Sequence, residues 1–323
     1  LGGFALAAVL LGVFVLWERR ARFPMLDISF FRNARFSAAS GAIMLTFFAM
    51  FGSLFLLTQF LQSILGYTPL EAGIRLLPMA GVMMVIAPLS AKVVERIGSK
   101  IVVASGLSIA AVGLVMASRL TAGASYPEVL SSLVVLAAGM ALVMPPATES
   151  IMGSLPLAKA GVGSAVNDTT RQVGGALGVA VLGSVMSSTY GPRVTEAISG
   201  FPVSSDQASA IHDQIGAAMR AASEIGGEPG RMLADVASGG FADGMSTAFI
   251  IGAAALALGA VIVALFLPAR AREHEDVAMG GDGGDGQRPD TPTVRADTIG
   301  RESSGRVTGT PPVGAHHPDA EPR

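Results

Sequence analysis

The chain of 323 residues contains no cysteine, which excludes a disulfide framework, a thiolate nucleophile and any cysteine metal site. Charge is scarce as well: Asp, Glu, Lys and Arg make up 14% of residues, where soluble domains carry roughly a quarter. Over this length, that deficit leaves too little polar surface to face water. With 22 basic residues against 24 acidic ones the net charge is −2, so no nucleic-acid partner is expected. The four histidines, at 212, 274, 316 and 317, all lie in polar segments, so neither histidine catalysis nor a metal site is expected. No G-x-x-x-x-G-K-[ST] occurs, and "GVGSAV" from Gly161 lacks the last glycine of G-x-G-x-x-G, so no phosphate-binding loop is expected either. A membrane-embedded lipid enzyme would need clustered acids or histidines near the interface. None is present, and the chain is expected to be neither an enzyme nor the holder of a cofactor.

What the chain has in quantity is apolar sequence, 51% of it hydrophobic. A bilayer core about 30 Å thick is crossed by roughly 20 apolar residues in a helix. Seven segments qualify or nearly do: residues 1–17, 36–62, 72–94, 100–120, 129–150, 161–188 and 244–267. The expected fold class is therefore all-α integral membrane, with seven transmembrane helices. The sequence opens at Leu1 inside an apolar run and shows neither the basic start nor the small-residue cleavage site of a signal peptide. It reads as the C-terminal part of a longer protein.

Lys and Arg favour cytoplasmic loops, and they sort cleanly here. Arg19, Arg20, Arg22, Arg32 and Arg35 follow the first span, and Lys92, Arg96 and Lys100 lie between the third and fourth. Lys159 lies between the fifth and sixth, and Arg270 and Arg272 follow the last. The alternate loops are poor in base. The long one, residues 189–243, sets Arg193, Arg220 and Arg231 against seven acids. The predicted orientation places Leu1 outside and the C-terminus in the cytosol of a bacterial-type plasma membrane. Residues 18–35 form a cytoplasmic basic loop and 189–243 an extracytoplasmic one. In the latter, Ser204 and Gln207 form a capping box, and Ile211, Ile215 and Met219 share one helical face. That face suits a short helix lying on the membrane or one packed over its own loop. Residues 268–323, rich in Gly, Pro, Asp, Ser and Thr, have little to bury and are expected to be a disordered cytoplasmic tail.

Ionisable groups inside a membrane are costly and mark function by default. The sixth span holds Asn167, Asp168, Thr169, Thr170, Arg171 and Gln172 in its first half, ahead of a glycine-rich run. Asp168 and Arg171, three apart, share a helical face and can pair. The pair suits an interfacial anchor, a gate, or a protonation site at Asp168. Glu149, three residues past Pro146, is a second gate candidate or a solvated helix-end carboxylate. No acid lies at mid-membrane. Pro145 and Pro146 must disturb their helix, and Pro78 and Pro88 bend the third span. Gly174 and Gly178 form a G-x-x-x-G packing face. Met83 and Met84 adapt to varied apolar contacts, and with Gln59 and Gln62 they are candidates to line a cavity for a small hydrophobic substrate.

Two stretches, "TPLEAGIRLLPMAGVMMVIAPLSAKVVERIGSK" and "GVGSAVNDTTRQVGGALGVAVLGSV", carry a resemblance. The chain, from about Arg22 to Met186, resembles the C-terminal half of the fourteen-span drug:proton antiporters of the major facilitator superfamily. The loop Glu95-Arg96-Ile97-Gly98-Ser99-Lys100 resembles that superfamily's inner-loop signature. It departs by Glu95 for Asp, Ser99 for the first basic residue and Ala91 for a glycine. The resemblance implies that the first span is the last of two linker helices and that the next six form a six-helix bundle. It also implies that the partner N-terminal bundle carries most proton-coupling residues, and that Glu95 and Arg96 act as a conformational lock. The activity implied is alternating-access export of hydrophobic drugs or metabolites, driven by a proton gradient. The rival reading is a non-transporting remnant.

Overall fold

The computed structural model describes residues 28–199 and 204–267, with eight isolated positions before residue 21. The expected first span at 1–17 falls largely outside the described residues, and the tail at 268–323 wholly so. Where positions of that span are described, Leu6, Val9, Leu10, Val13, Leu16 and Trp17 are helical and exposed.

Eight α-helices follow in the described residues, each with a local reason to begin. α1 (Ala34–Gln59) starts where the Asn33 side chain accepts from the amide of Arg35 at 2.9 Å, and it runs on into a π turn, Phe60–Ile64. α2 (Pro69–Ile97) opens on a Thr68/Glu71 capping box with Pro69 in the first turn, which satisfies amide donors that have no partner within the helix. Gly98, at φ 84°, turns the chain straight into α3 (Ser99–Ala117). An L side chain resists that dihedral. α4 (Tyr126–Met152) begins with the Ser125 amide donating to Glu128 at 2.8 Å. α5 (Ala160–Ile198) and α8 (Gly227–Phe266) are the longest, and α6 (Ser205–Asp213) and α7 (Ile215–Ile225) lie between them.

Six of these helices, all but α6 and α7, are long and apolar enough to cross a membrane. The contacts arrange them in two layers. α2, α4, α1 and α5 pack in that spatial order, and α3 and α8 lie behind them, α3 on α4 and α8 on α5, α1 and α3. α2 is peripheral: 11% of its apolar window is buried, against 56% for α4.

Small residues set the closest approaches, as expected where tight contact rather than water exclusion holds helices together. A Cβ added at Gly174 would stand 3.0 Å from Met44 Cα, and one at Gly178 would stand 2.9 Å from Phe48 Cα, with the carbonyl oxygens nearer still. The matched numbering, 44 with 174 and 48 with 178, shows that α1 and α5 run in the same direction. α3 and α4 approach as closely: a Cβ at Gly113 would lie 2.5 Å from the Leu136 nitrogen, and one at Gly106 would lie 2.8 Å from the Gly139 oxygen.

The structure extends α5 past residue 188 to Ile198 and starts α8 at Gly227 rather than 244. At about 1.5 Å per residue, helices of 39 and 40 residues are some 58–60 Å long, roughly twice a bilayer core. Hydropathy reads their polar halves as loop, but packing keeps them helical. Together with α6 and α7 they extend the core through Tyr190, Val194, Ile211, Ile215, Ala218 and Leu233, each under 5% exposed. The segment holding Ile211, Ile215 and Met219 is two short helices, broken at Gln214, with Ile211 and Ile215 buried and Met219 packed against the core.

Candidate functional site

α5 opens on small and apolar residues, Ala160–Val166, carries its polar turns at Asn167–Gln172, and the three-residue spacing of Asp168 and Arg171 turns both toward one side. Arg171 stands where α5, α1 and α4 meet. Its Nη2 donates to Thr148 Oγ1 of α4 at 3.3 Å, and its Cζ lies 5.4 Å from the centre of the Phe47 ring of α1. The Asp168 carboxylate is 3.9 Å from Nη1, a loose ion pair beyond hydrogen-bond reach. Arg171 is the deeper of the two, 30% exposed against 69%. Its Nε is buried without a hydrogen-bond partner among the described residues, as are Asn167 Oδ1 one turn earlier and Ser40 Oγ of α1.

Asp168 and Arg171 edge a cleft of about 600 Å³ lined besides by Phe47 and Phe51 of α1 and by Gln172, Gly175, Ala176 and Val179 of α5. The Phe47 and Phe51 rings stack, with centroids 6.1 Å apart and planes 26° from parallel. Phe51 packs against Gly175, where a Cβ would meet the ring at 3.0 Å. The cleft thus combines an aromatic wall, a small-residue floor, one guanidinium, one carboxylate and one neutral amide.

The remaining candidates lie elsewhere. Glu149 is exposed beside Thr148 and does not line the cleft. Gln59 is half-buried at the far end of α1 with Nε2 unpartnered among the described residues, and Gln62 sits in the π turn. Met83 packs partly buried against the core, while Met84 is 78% exposed on the outer face of α2. Glu95 and Arg96 are exposed on the last turn of α2, Gly98 is buried, and Lys100 is half-buried at the start of α3. Pro78 and Pro88 lie within α2, and Pro145 and Pro146 within α4.

Three features escape sequence reading. Phe47 and Phe51 recur at i and i+4 on α1 but sit among other aromatics, so spacing alone does not single them out. Thr148 carries no signal until α5 is docked. The third is Ser90, fully buried on α2, whose Oγ donates to the Leu142 carbonyl at 2.9 Å. That carbonyl is the one left without an amide donor by Pro146, four residues on. The break in α4 is met by a neighbouring helix, the condition under which prolines are tolerated in lipid.

At the α6–α7 end, Arg75 of α2 lies 3.7 Å above the Tyr67 ring, and Tyr126 Oη donates to the Arg75 carbonyl at 3.0 Å. Tyr190 Oη donates to the Ile211 carbonyl at 3.0 Å, tying α5 to α6.

Comparison with known proteins places this geometry. A family model described as the Major Facilitator Superfamily matches residues 1–179. The chain is 37% identical over 271 residues to the tetracenomycin C resistance and export protein of Streptomyces glaucescens, covering 82% of this chain and 50% of that one. It is 36% identical over 196 residues to the multidrug resistance protein Stp of Mycobacterium tuberculosis, covering 59% and 36%. It is 30% identical over 260 residues to the multidrug efflux pump LfrA of Mycolicibacterium smegmatis, covering 80% and 51%. The chain thus spans about half the length of two of these relatives and about a third of the other. Among solved structures, a bacterial homologue of the human lysosomal transporter Spinster, inward-facing and occupied, shares the fold. The TM-score is 0.56 at 20% identity, over 73% of this chain and 50% of that one.

Proposed function

The chain belongs to the major facilitator superfamily, a multi-pass membrane protein and not an enzyme, and on that premise we propose that it is the C-terminal half of a proton-driven exporter of hydrophobic drugs or metabolites. In this reading the six crossing helices are one bundle of a fourteen-span antiporter, and residues 1–17 supply the seventh span of this chain as a linker helix. The partner is the N-terminal bundle of the same protein, seated on the open face of the α2–α4–α1–α5 layer and carrying the main proton-coupling groups. α1 and α5 start on the cytoplasmic side, so that the Arg171 cleft opens near that side and the C-terminus is cytosolic.

The observation that carries the reading is the cleft itself. It is an apolar, aromatic hollow of drug-like volume with a single loose ion pair at its edge, set in a chain whose relatives carry names of drug resistance and export. An ion pair of this kind, 69% exposed on one side, is held weakly and can be remade as the layer changes partners. The test is efflux of a hydrophobic dye from vesicles carrying the full-length protein, with and without a proton gradient. Gradient-dependent efflux is expected. In Arg171→Ala it should fall roughly tenfold or more while membrane insertion is retained. Efflux indifferent to the gradient would overturn the proton coupling. Equal loss of transport and insertion in Arg171→Ala would make that residue an anchor only.

A further inference from the structure

We propose that the Arg171 cleft binds planar aromatic acids, taking the ligand's carboxylate, phenolate or enolate oxygen on the guanidinium and its ring on Phe51. The inference rests on the export reading only for its consequence, that such acids are cargo; the binding site stands on the geometry of the chain.

The first observation is how little of Arg171 is engaged. A guanidinium carries five N–H donors in a rigid fork. Here it makes one side-chain hydrogen bond, to the Thr148 hydroxyl at 3.3 Å, while Asp168 stays at 3.9 Å and Nε has no partner among the described residues. A cation at that depth, 30% exposed, is under-compensated, because a part-buried charge needs both an opposite charge and satisfied donors. Asp168 lies on the open side of the cleft, and a ligand oxyanion can replace it at little cost. Carboxylate and phenolate oxygens suit the Nη end of the fork, where Asp168 now stands, Nε itself being buried, and they give charge-assisted hydrogen bonds of a kind Asp168 does not make here.

The second observation decides the sign of the ligand's charge. An aromatic wall usually invites a cation onto its face. That place at Phe47 is taken by the chain's own guanidinium, 5.4 Å from the ring centre. A cationic ligand in the cleft would face Arg171 and reach only the exposed Asp168 carboxylate.

The third observation fixes the shape. Phe51, 44% exposed, continues the Phe47 stack and packs against Gly175, so that ring surface is open to the cleft. Ala176 keeps the floor low, and Gln172 offers an amide that can donate to or accept from a second oxygen. A flat ring with an acidic oxygen at one edge meets each of these groups.

The test is equilibrium binding to the full chain, purified in a non-ionic detergent at neutral pH. Three naphthalene probes of one shape serve: 2-naphthoate, neutral 2-naphthamide and cationic 2-naphthylmethylammonium. Octanoate stands for an aliphatic acid such as a lipid tail would present. Naphthoate is expected to bind about tenfold more tightly than either naphthalene analogue, and octanoate to compete poorly. Arg171→Gln should erase the anion preference while leaving naphthamide binding in place, which shows that the cleft is still formed. Phe51→Ala should weaken naphthoate and naphthamide together. Equal binding of the three naphthalene probes, or preference for the ammonium, overturns the proposal. So does competition by octanoate as strong as that by naphthoate. Anion-selective binding without gradient-driven efflux would sink the export reading and leave the site. Efflux of cationic dyes with no naphthoate binding would do the reverse.

Discussion

Replacing Gly178 by alanine is expected to push α1 and α5 apart, and the size of the effect follows from the contact. The new methyl carbon would stand 2.9 Å from Phe48 Cα and 2.8 Å from its carbonyl carbon, with the oxygen nearer, where ordinary contact begins at 3.4 Å. The obstacle is backbone, which cannot swing aside, so the helices must separate locally by at least about 0.5 Å, forfeiting dispersion contacts along the seam. Overpacking of this kind costs about 1–3 kcal/mol. Alanine also favours the helix over glycine by up to about 1 kcal/mol, which complicates a single measurement. Gly161→Ala removes the complication, since it lies on the same helix and meets nothing within 4 Å. Helix preference cancels in the difference between the two variants, leaving the steric cost of about 1–3 kcal/mol. Gly183→Ala should fall near Gly161→Ala, because its only close neighbour is the Phe55 ring edge at 3.3 Å, which can turn. The assay is unfolding in mixed micelles by added anionic detergent, followed by helical circular dichroism. The expected order of midpoints is Gly161→Ala highest, Gly183→Ala close behind and Gly178→Ala clearly lowest. A Gly178→Ala midpoint equal to that of Gly161→Ala would show that α1 and α5 do not touch backbone to backbone.

Ser90→Ala should cost about 1–2 kcal/mol, because it bares the Leu142 carbonyl in the bundle. In a Pro146→Ala background, where an amide can take that carbonyl, most of the loss should vanish; a double-mutant cycle in the same unfolding assay with no coupling would refute the pairing. Tyr190→Phe leaves the Ile211 carbonyl unmet and should cost about 0.5–1.5 kcal/mol, read as faster amide hydrogen exchange in α6 and not in α3. Arg75→Gln removes the cation held 3.7 Å above Tyr67 and should lower stability by about 0.5–1 kcal/mol in the same unfolding assay. Tyr67→Phe, which keeps the ring face, should be nearly silent, and a cost as large as that of Arg75→Gln would point to the hydroxyl.

The crossing helices are legible in the sequence because lipid leaves the backbone little choice. Any apolar run of sufficient length must satisfy its own amides as a helix, and Thr68 and Ser125 stand where two of these helices begin. The polar halves of α5 and α8 are not legible, since Glu196, Arg193, Asp235 and Asp243 read as loop by hydropathy. Their helicity comes from packing on α6 and α7, and from side-chain links such as that between Arg193 and Asp243. The same division holds at the cleft. The spacing of Asp168 and Arg171 is local and can be read directly. Thr148, Phe47 and Phe51 come to Arg171 from 23 to 124 positions away in sequence, and nothing local announces them.

The glycine run and the polar turns before it are parts of one arrangement. Arg171 can lie 5.4 Å from the Phe47 ring only because Gly174 and Gly178, within the next two turns, let the α1 backbone approach to contact. Side chains at those positions would carry Phe47 and Phe51 away from the guanidinium and lift Phe51 off Gly175. The cation would then lose the ring that shares its burial, and the aromatic wall would lose its floor. A single cation can be held part-buried in so greasy a segment because the small residues bring an aromatic face to it. This accounts for the juxtaposition of six polar residues with a glycine-rich run: the glycines set the distance, and the distance makes the charge tolerable and leaves its donors free for a ligand.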